Sequence, residues 1–445
     1  MMAIQVKGSV KRYLRIILTK YLKYYFKWDI MIKNFIKKYL ILPGYAFFRR
    51  LPINNNLIIF ESNMGRNYSG NPKHIYEEMV RQGIDKKLKC IWILEDTDTE
   101  IPGNTKKVKR SRIKYYYYIA RAKIWVFDTR DPPHIHKREQ CFYIQTWHGT
   151  PLKKLGLDMD DVFMAGKGDI ETYKHNIYQD SRKWDFLLSQ NDFSTEIFKS
   201  AFSFSKDLAP YKEIWTYGYP RNDILINNNN KKDINKLKVS LGIPEDKKIL
   251  LYAPTWRDNE FHRRSIYKFV TAMDFDLLKE KLAEDYAIIV KYHYLVIENI
   301  DWSDYKDFVY TFGADQDIAD LYLVSDMLIT DYSSVMFDYS ILNRPMFFFM
   351  YDLESYRDEL RGFYSNVVEE IPGPISKTTE ELINDIKRYD PLLYKDKYNA
   401  FRDKYNRKDD GKSSKRVIDR ILELKNINKI AAQKRLVENS RSNIN

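Results

Sequence analysis

An α/β protein with two doubly wound parallel sheets is the fold class that three observations predict. From about residue 55, short apolar runs of strand length alternate with amphipathic helical stretches, which is the rhythm of βαβ units. That rhythm stops at a polar break, NNNNKKD (227–233), and then starts again. The chain, at 445 residues, is also too long for a single core of ordinary size.

In the first half, NLIIFES (56–62) reads as a strand, followed by the loop NMGRNYSG. Asn71-Pro72 reads as a helix N-cap with proline at the first helical position, opening a helix that ends near Gly83. KCIWILED is a second strand, RIKYYYYIARA a helix, KIWVFDT a third strand and CFYIQTW a fourth. After a helical stretch come WDFLLSQ (184–190), a helix from near Asp192, and EIWTYGYP (213–220). Beyond the break follow KKILLYAPTW, a helix around 274–283, YAIIVKYH and DFVYTF. A helix from Ile318, DMLITD, a helix from Ser333 and PMFFFMYD complete that half, and a helix at roughly 413–424 precedes a polar tail. The expected segments are therefore 1–50, 55–230, 240–400 and 401–445.

Charge is concentrated in the first of these. Residues 1–50 hold twelve Lys or Arg and one Asp, which accounts for eleven of the thirteen net positive charges. The rest is nearly neutral, which argues against a nucleic-acid partner. Leu14, Ile17, Tyr21, Tyr25, Trp28, Ile32, Phe35 and Tyr39 recur at spacings of three and four, with Arg12, Lys23, Lys27 and Lys37 on the opposite face. Such a helix suits an anionic membrane surface; a docking helix with a solvated basic back is the alternative. No signal-peptide pattern and no apolar run long enough to span a bilayer is visible. Cys90 and Cys141 sit in apolar runs and read as buried thiols of a reducing compartment.

Ligands of open α/β sheets bind beyond the carboxyl ends of the strands, and the unusual residues gather there. His148 ends the fourth strand, and Thr150-Pro151 looks like another N-cap and N1 pair, which would put the imidazole beside a helix N-terminus. An imidazole so placed can take a proton from an incoming hydroxyl; a structural turn histidine fits the same fragment. In the second half, His293, Lys291 and Arg257 fall at one sheet edge and suit an anion. Thr330, Asp331, Ser333 and Ser334 occupy a strand-to-helix turn, where free N–H groups and hydroxyls can cradle a phosphate. The short DTD (96–98) and DMD (158–160) read as loop or helix-start acids, and no metal site or cofactor is expected.

Four segments, in order, carry a family resemblance: FESNMGRNYSGNPKHIYEEM, QTWHGTPLKKLGLD, YAPTWRDN and ITDYSSVMFDYSILNRPMFFF. With them the chain resembles the CDP-glycerol glycerophosphotransferase family, the teichoic acid primases and polymerases of Gram-positive bacteria, across roughly residues 55–400. The resemblance implies a GT-B architecture of two Rossmann-like domains, an acceptor domain and a CDP-alditol-binding domain, with metal-independent transfer and peripheral attachment to the cytoplasmic membrane face. It implies that His148 is a catalytic base and that His293 and the Ser-Ser turn meet the diphosphate. Members often carry proline after the second histidine, and here it is Tyr294. The expected donor is CDP-glycerol or CDP-ribitol, and the expected acceptor a polyprenyl-linked saccharide or polymer. A GT-B glycosyltransferase using a nucleotide sugar and a non-catalytic membrane scaffold are the rival readings.

Overall fold

The computed structural model describes residues 35–161, 169–205, 211–255, 261–263, 266–267, 272–291, 301–313, 315–353, 362–365 and 367–428. Helix α1 (Leu42–Phe48) leads into strand β1 (Asn54–Glu61), then α2 (Gly70–Arg81), β2 (Lys89–Leu94), β3 (Thr105–Lys109), α3 (Ile113–Arg121) and β4 (Ala122–Phe127). Next come β5 (Phe142–Gln145), α4 (Ile170–Lys183), β6 (Phe186–Ser189), α5 (Asp192–Ala201) and β7 (Glu213–Thr216). These strands form one seven-stranded sheet in the order β3-β2-β1-β4-β5-β6-β7, parallel throughout. Chain order reverses at β1, between β2 and β4. Every residue of β4 is buried, as expected of a central strand covered by helices on both faces.

Helices α6 (Asp223–Asn227) and α7 (Lys231–Leu241) connect to the second half. There β8 (Lys248–Tyr252) precedes a short hairpin, β9 (Phe261–Arg263) and β10 (Ile266–Tyr267). The elements after it are α8 (Phe275–Leu282), β11 (Tyr286–Val290), β12 (Val309–Thr311), α9 (Ile318–Val324), β13 (Met327–Thr330), α10 (Val335–Tyr339) and β14 (Met346–Phe349). The last are α11 (Val367–Glu370), β15 (Ile375–Ser376), α12 (Thr379–Lys387), α13 (Pro391–Tyr405) and α14 (Ser413–Asn426). The second sheet is parallel, in the order β12-β11-β8-β13-β14-β15. The two Rossmann-like units have the GT-B arrangement that the family resemblance implies. Helix α14 returns to the first sheet: Val417, Ile418, Ile421 and Leu424 are buried with Ile58, Phe60 and Trp92. Each such side chain contributes about 1.5–3 kcal/mol, enough to hold both halves under one clasp.

Four local expectations change. Strand β3 (TKKVK) escapes a hydrophobicity reading because only Val108 points inward, with lysines along a sheet edge. Helix α2 starts at Gly70, with Ser69 at the N-cap position and no side-chain capping bond, because Asn71 is buried and bonded elsewhere. Helix α10 opens at Val335, two residues after Ser333. No helix follows Thr150-Pro151. The Thr150 hydroxyl donates to Gln190 at 2.6 Å instead of capping, and the chain runs extended toward the second half. There the Lys154 amide donates to Gly362 and the Tyr364 amide to Leu152. Of the predicted basic helix, residues 1–34 lie outside the described residues.

Candidate active site

Strands β1, β4 and β5 end side by side at the point where chain order reverses, and the loops leaving them build one wall of a cleft. β5 runs into Thr146, Trp147 and His148. Trp147 has a left-handed backbone, φ +52°, which costs a bulky residue roughly 1–3 kcal/mol. Asn71 offsets that cost: its side-chain amide donates to the carbonyls of Thr146 at 3.0 Å and Trp147 at 3.1 Å. The Trp147 amide in turn donates to the Gln145 side chain at 3.0 Å. The Trp147 ring rests on Phe198 and Phe202 and stacks under the imidazole, with centroids 4.5 Å apart.

His148 Nδ1 lies 3.0 Å from the Asp128 carbonyl oxygen. A carbonyl can only accept, so Nδ1 carries the proton and Nε2 holds the free lone pair. Asp128 is itself fixed, its carboxylate accepting from the Ser62 hydroxyl at 2.7 Å and the Asn63 amide at 2.8 Å. His148 is exposed over part of its surface, while Trp147 covers one face of its ring. Burial therefore holds the imidazole below its ordinary value of 6.5; the Asp128 carboxylate and carbonyl pull it up, and the Arg221 guanidinium pushes it down. A base works only while neutral. With a lowered pKa, the acid limb of a kcat/KM profile falls below pH 6.5, and activity is full above it. A limb centred above that value would refute this placement of the ring.

The facing wall comes from the second half. Gly149 approaches the Ser-Ser turn so closely that a Cβ there would sit 3.1 Å from Ser334 Oγ, so the two sequence segments WHGTPLK and TDYSSVMFDYS meet in space. Arg221 joins them. Its guanidinium donates to the His148 carbonyl at 2.7 Å and forms an ion pair with Asp338 on α10. Its amide donates to Asn71 Oδ1 at 3.2 Å. Asp338 also accepts from Asn222 at 2.9 Å. A second tie joins α2 to the start of α9, where Asp317 takes Lys73 at 3.0 Å and His74 at 3.3 Å.

Ser333 and Ser334 lie partly open just before α10, with Ser334 against Gly149. Three other residues expected to bind substrate are placed differently. The Thr330 hydroxyl is fully buried and donates to the Ala253 carbonyl at 2.8 Å. Asp331 is buried and accepts from the Thr255 amide at 2.8 Å. These two bind the end of β13 to the loop after β8. The Lys291 ammonium donates to the carbonyls of Gly313 and Gln316, holding the loop before α9, and burial lowers its pKa. Arg257 and His293 lie outside the described residues. The DxD acids are engaged locally: Asp96 accepts from the Asp98 amide, Asp158 from Ser200 and Tyr364, and Asp160 pairs with Lys154. Asn71, Asp128, Arg221 and Asp338 were not foreseen as site residues. Asp338, an acid inside an otherwise apolar and aromatic run, carried the clearest signal.

This chain matches the model of the CDP-Glycerol:Poly(glycerophosphate) glycerophosphotransferase family over residues 44–423. It is 44% identical over 374 residues to the teichoic acid poly(glycerol phosphate) polymerase of Bacillus spizizenii, covering 84% of this chain and 93% of that protein. The Bacillus subtilis protein of that name is longer, and the match spans only 49% of it. The teichoic acid glycerol-phosphate transferase of Staphylococcus aureus is 42% identical over 400 residues, 88% of this chain and 100% of that protein. The solved wall teichoic acid polymerase TagF superposes with a TM-score of 0.80 at 40% identity, covering 90% of this chain and 97% of that one.

Proposed function

The chain belongs to the CDP-glycerol:poly(glycerophosphate) glycerophosphotransferase family, and on that premise we propose that it transfers glycerol phosphate from CDP-glycerol to a hydroxyl of a teichoic acid precursor, with His148 as general base. The observation that carries the role of His148 is its fixed tautomer: Nδ1 is held by the Asp128 carbonyl, which leaves Nε2 as the basic nitrogen of an exposed residue next to Gly149, the residue that meets Ser334. The acceptor oxygen attacks the phosphorus that bears the glycerol. Its proton passes to Nε2, the bond from that phosphorus to the bridging oxygen breaks, and CMP leaves with the electron pair. Negative charge grows on the CMP phosphate, where donors fixed in advance are worth the most. The Ser333 and Ser334 hydroxyls and amides are suited to this. Helix α10 has five residues, so the local N–H groups matter more than any helix dipole. Arg257 and His293, expected from the sequence to meet an anion, would add cationic stabilisation.

The test is CMP release from CDP-glycerol and, separately, CDP-ribitol, with a synthetic lipid-linked disaccharide bearing or lacking one glycerol phosphate. CMP from CDP-glycerol supports the reading. CMP from CDP-ribitol alone replaces the alditol, and no CMP from any pair of a folded protein favours a nucleotide-sugar transferase.

A polyprenyl-linked acceptor would require work at the cytoplasmic membrane surface. No helix among the described residues is long and apolar enough to cross a membrane. Surface attachment is supported by Phe35, Tyr39, Leu40 and Phe47, which are 61%, 55%, 66% and 58% exposed around α1. Replacing Leu40 and Phe47 with Asp should weaken sedimentation with anionic vesicles about tenfold or more and leave the melting transition unchanged. Unaltered sedimentation would refute the attachment.

A further inference from the structure

We propose that a cavity beside the His148 turn binds a phosphodiester of the acceptor chain, so that the substrate is gripped between the membrane-facing helix and the reacting hydroxyl. This rests on the acceptor reading above. The cavity, about 900 Å³, opens beyond the ends of β1, β3 and β4 and continues alongside α4. Its near rim is Met64 and Arg130. The Met64 amide donates to the Thr129 hydroxyl at 3.1 Å, and Thr129 follows Asp128, whose carbonyl holds His148. Arg130 lies two residues from Asp128, so their Cα atoms are within about 8 Å of each other. The far rim is His136, whose carbonyl accepts from Tyr45 of α1 at 2.9 Å.

The charge of the lining suits a phosphodiester. Arg110, Arg130, Lys137, Arg182 and Lys183 face Asp131 and Asp180. Glu61 and Asp185 neutralise Arg110 and Lys137 from behind, and Lys183 and Arg130 pair with Asp131 and Asp180. Arg182 remains in excess. It donates to the carbonyls of Phe202 and Ser203 and stacks on the Tyr178 ring at 4.7 Å, with no carboxylate partner among the described residues. A guanidinium with no acid of its own beside the partly exposed Arg130 leaves the lining with an unneutralised positive charge, which suits phosphate oxygens. Asn176 and Gln179, exposed on α4 and one turn apart, offer amides to the hydroxyls of a polyol. It follows that an acceptor already carrying alditol phosphate is preferred to the bare lipid-linked saccharide.

The experiment is calorimetric titration of the full chain, without donor, with synthetic tri(glycerol phosphate) and in a parallel arm with phosphatidylglycerol vesicles, against Arg130→Gln and Gln179→Glu. Both side chains are accessible, Arg130 at 31%, and unchanged melting confirms folding. Each variant should bind the oligomer about tenfold or more weakly. Arg81→Gln, which removes the same charge from an exposed site on α2, should bind it normally. No binding by the unaltered protein, an equal loss in Arg81→Gln, or a loss confined to phosphatidylglycerol vesicles would each overturn the inference. The vesicle arm separates a lipid headgroup from the acceptor. CMP release by the unaltered protein, measured alongside, tests the parent reading: release with no effect of either variant sinks only the cavity, and oligomer binding without release sinks only the transfer.

Discussion

Replacing His148 with asparagine lowers kcat for CMP release by about 10²–10⁴-fold, the usual worth of a positioned general base. Two features of the site set that expectation. The ring is committed to a single tautomer by the Asp128 carbonyl, so its loss removes the only basic nitrogen which that turn presents to the cleft. The asparagine amide can still donate to the same carbonyl, so the turn keeps its shape. KM for CDP-glycerol should therefore change little, because the donor is expected on the opposite wall, and the melting temperature should stay within a degree or two. Single-turnover kinetics with a saturating acceptor check this directly. Turnover within tenfold of the unaltered enzyme would remove His148 from the chemistry and leave it as a turn residue.

Replacing Arg221 with methionine should destabilise the protein by about 3–5 kcal/mol, the cost of stranding a buried charge. Arg221 and Asp338 have side chains only 12% and 1% exposed, so water cannot take the place of the lost guanidinium. The Asp338 carboxylate would be left with Asn222 alone, and the His148 carbonyl would lose its donor. Urea denaturation measures the loss. A double variant, Arg221→Met with Asp338→Leu, should recover much of the stability but little of the activity, since the His148 turn stays untied from α10. A single-variant loss below about 1 kcal/mol would mean that the pair behaves as an exposed one.

The alternation of apolar runs with helical periods, broken once at 227–233, determined two parallel sheets and most of their elements. Buried parallel strands are nearly uniform in hydrophobicity, and their helices carry a strong 3.6-residue period, so both are written locally. The strand tip at His148 and the Ser333–Ser334 turn were legible for the same reason, because each ends a run that the pattern marks. The helix expected at Thr150-Pro151 was a failure of local reading. Its signal was sound, but a buried bond to Gln190 from a neighbouring loop took the hydroxyl that would have capped it. Thr330 and Asp331 look like a ligand turn in sequence, and the loop after β8 takes the Thr330 hydroxyl and one Asp331 carboxylate oxygen. Asn71, Asp128, Arg221 and Asp338 are distant in sequence and ordinary in type. Only the fold decides that one amide holds a strained tryptophan, one carbonyl sets a tautomer and one buried ion pair closes the cleft, because each of those bonds joins segments that the chain brings together only after both sheets have formed.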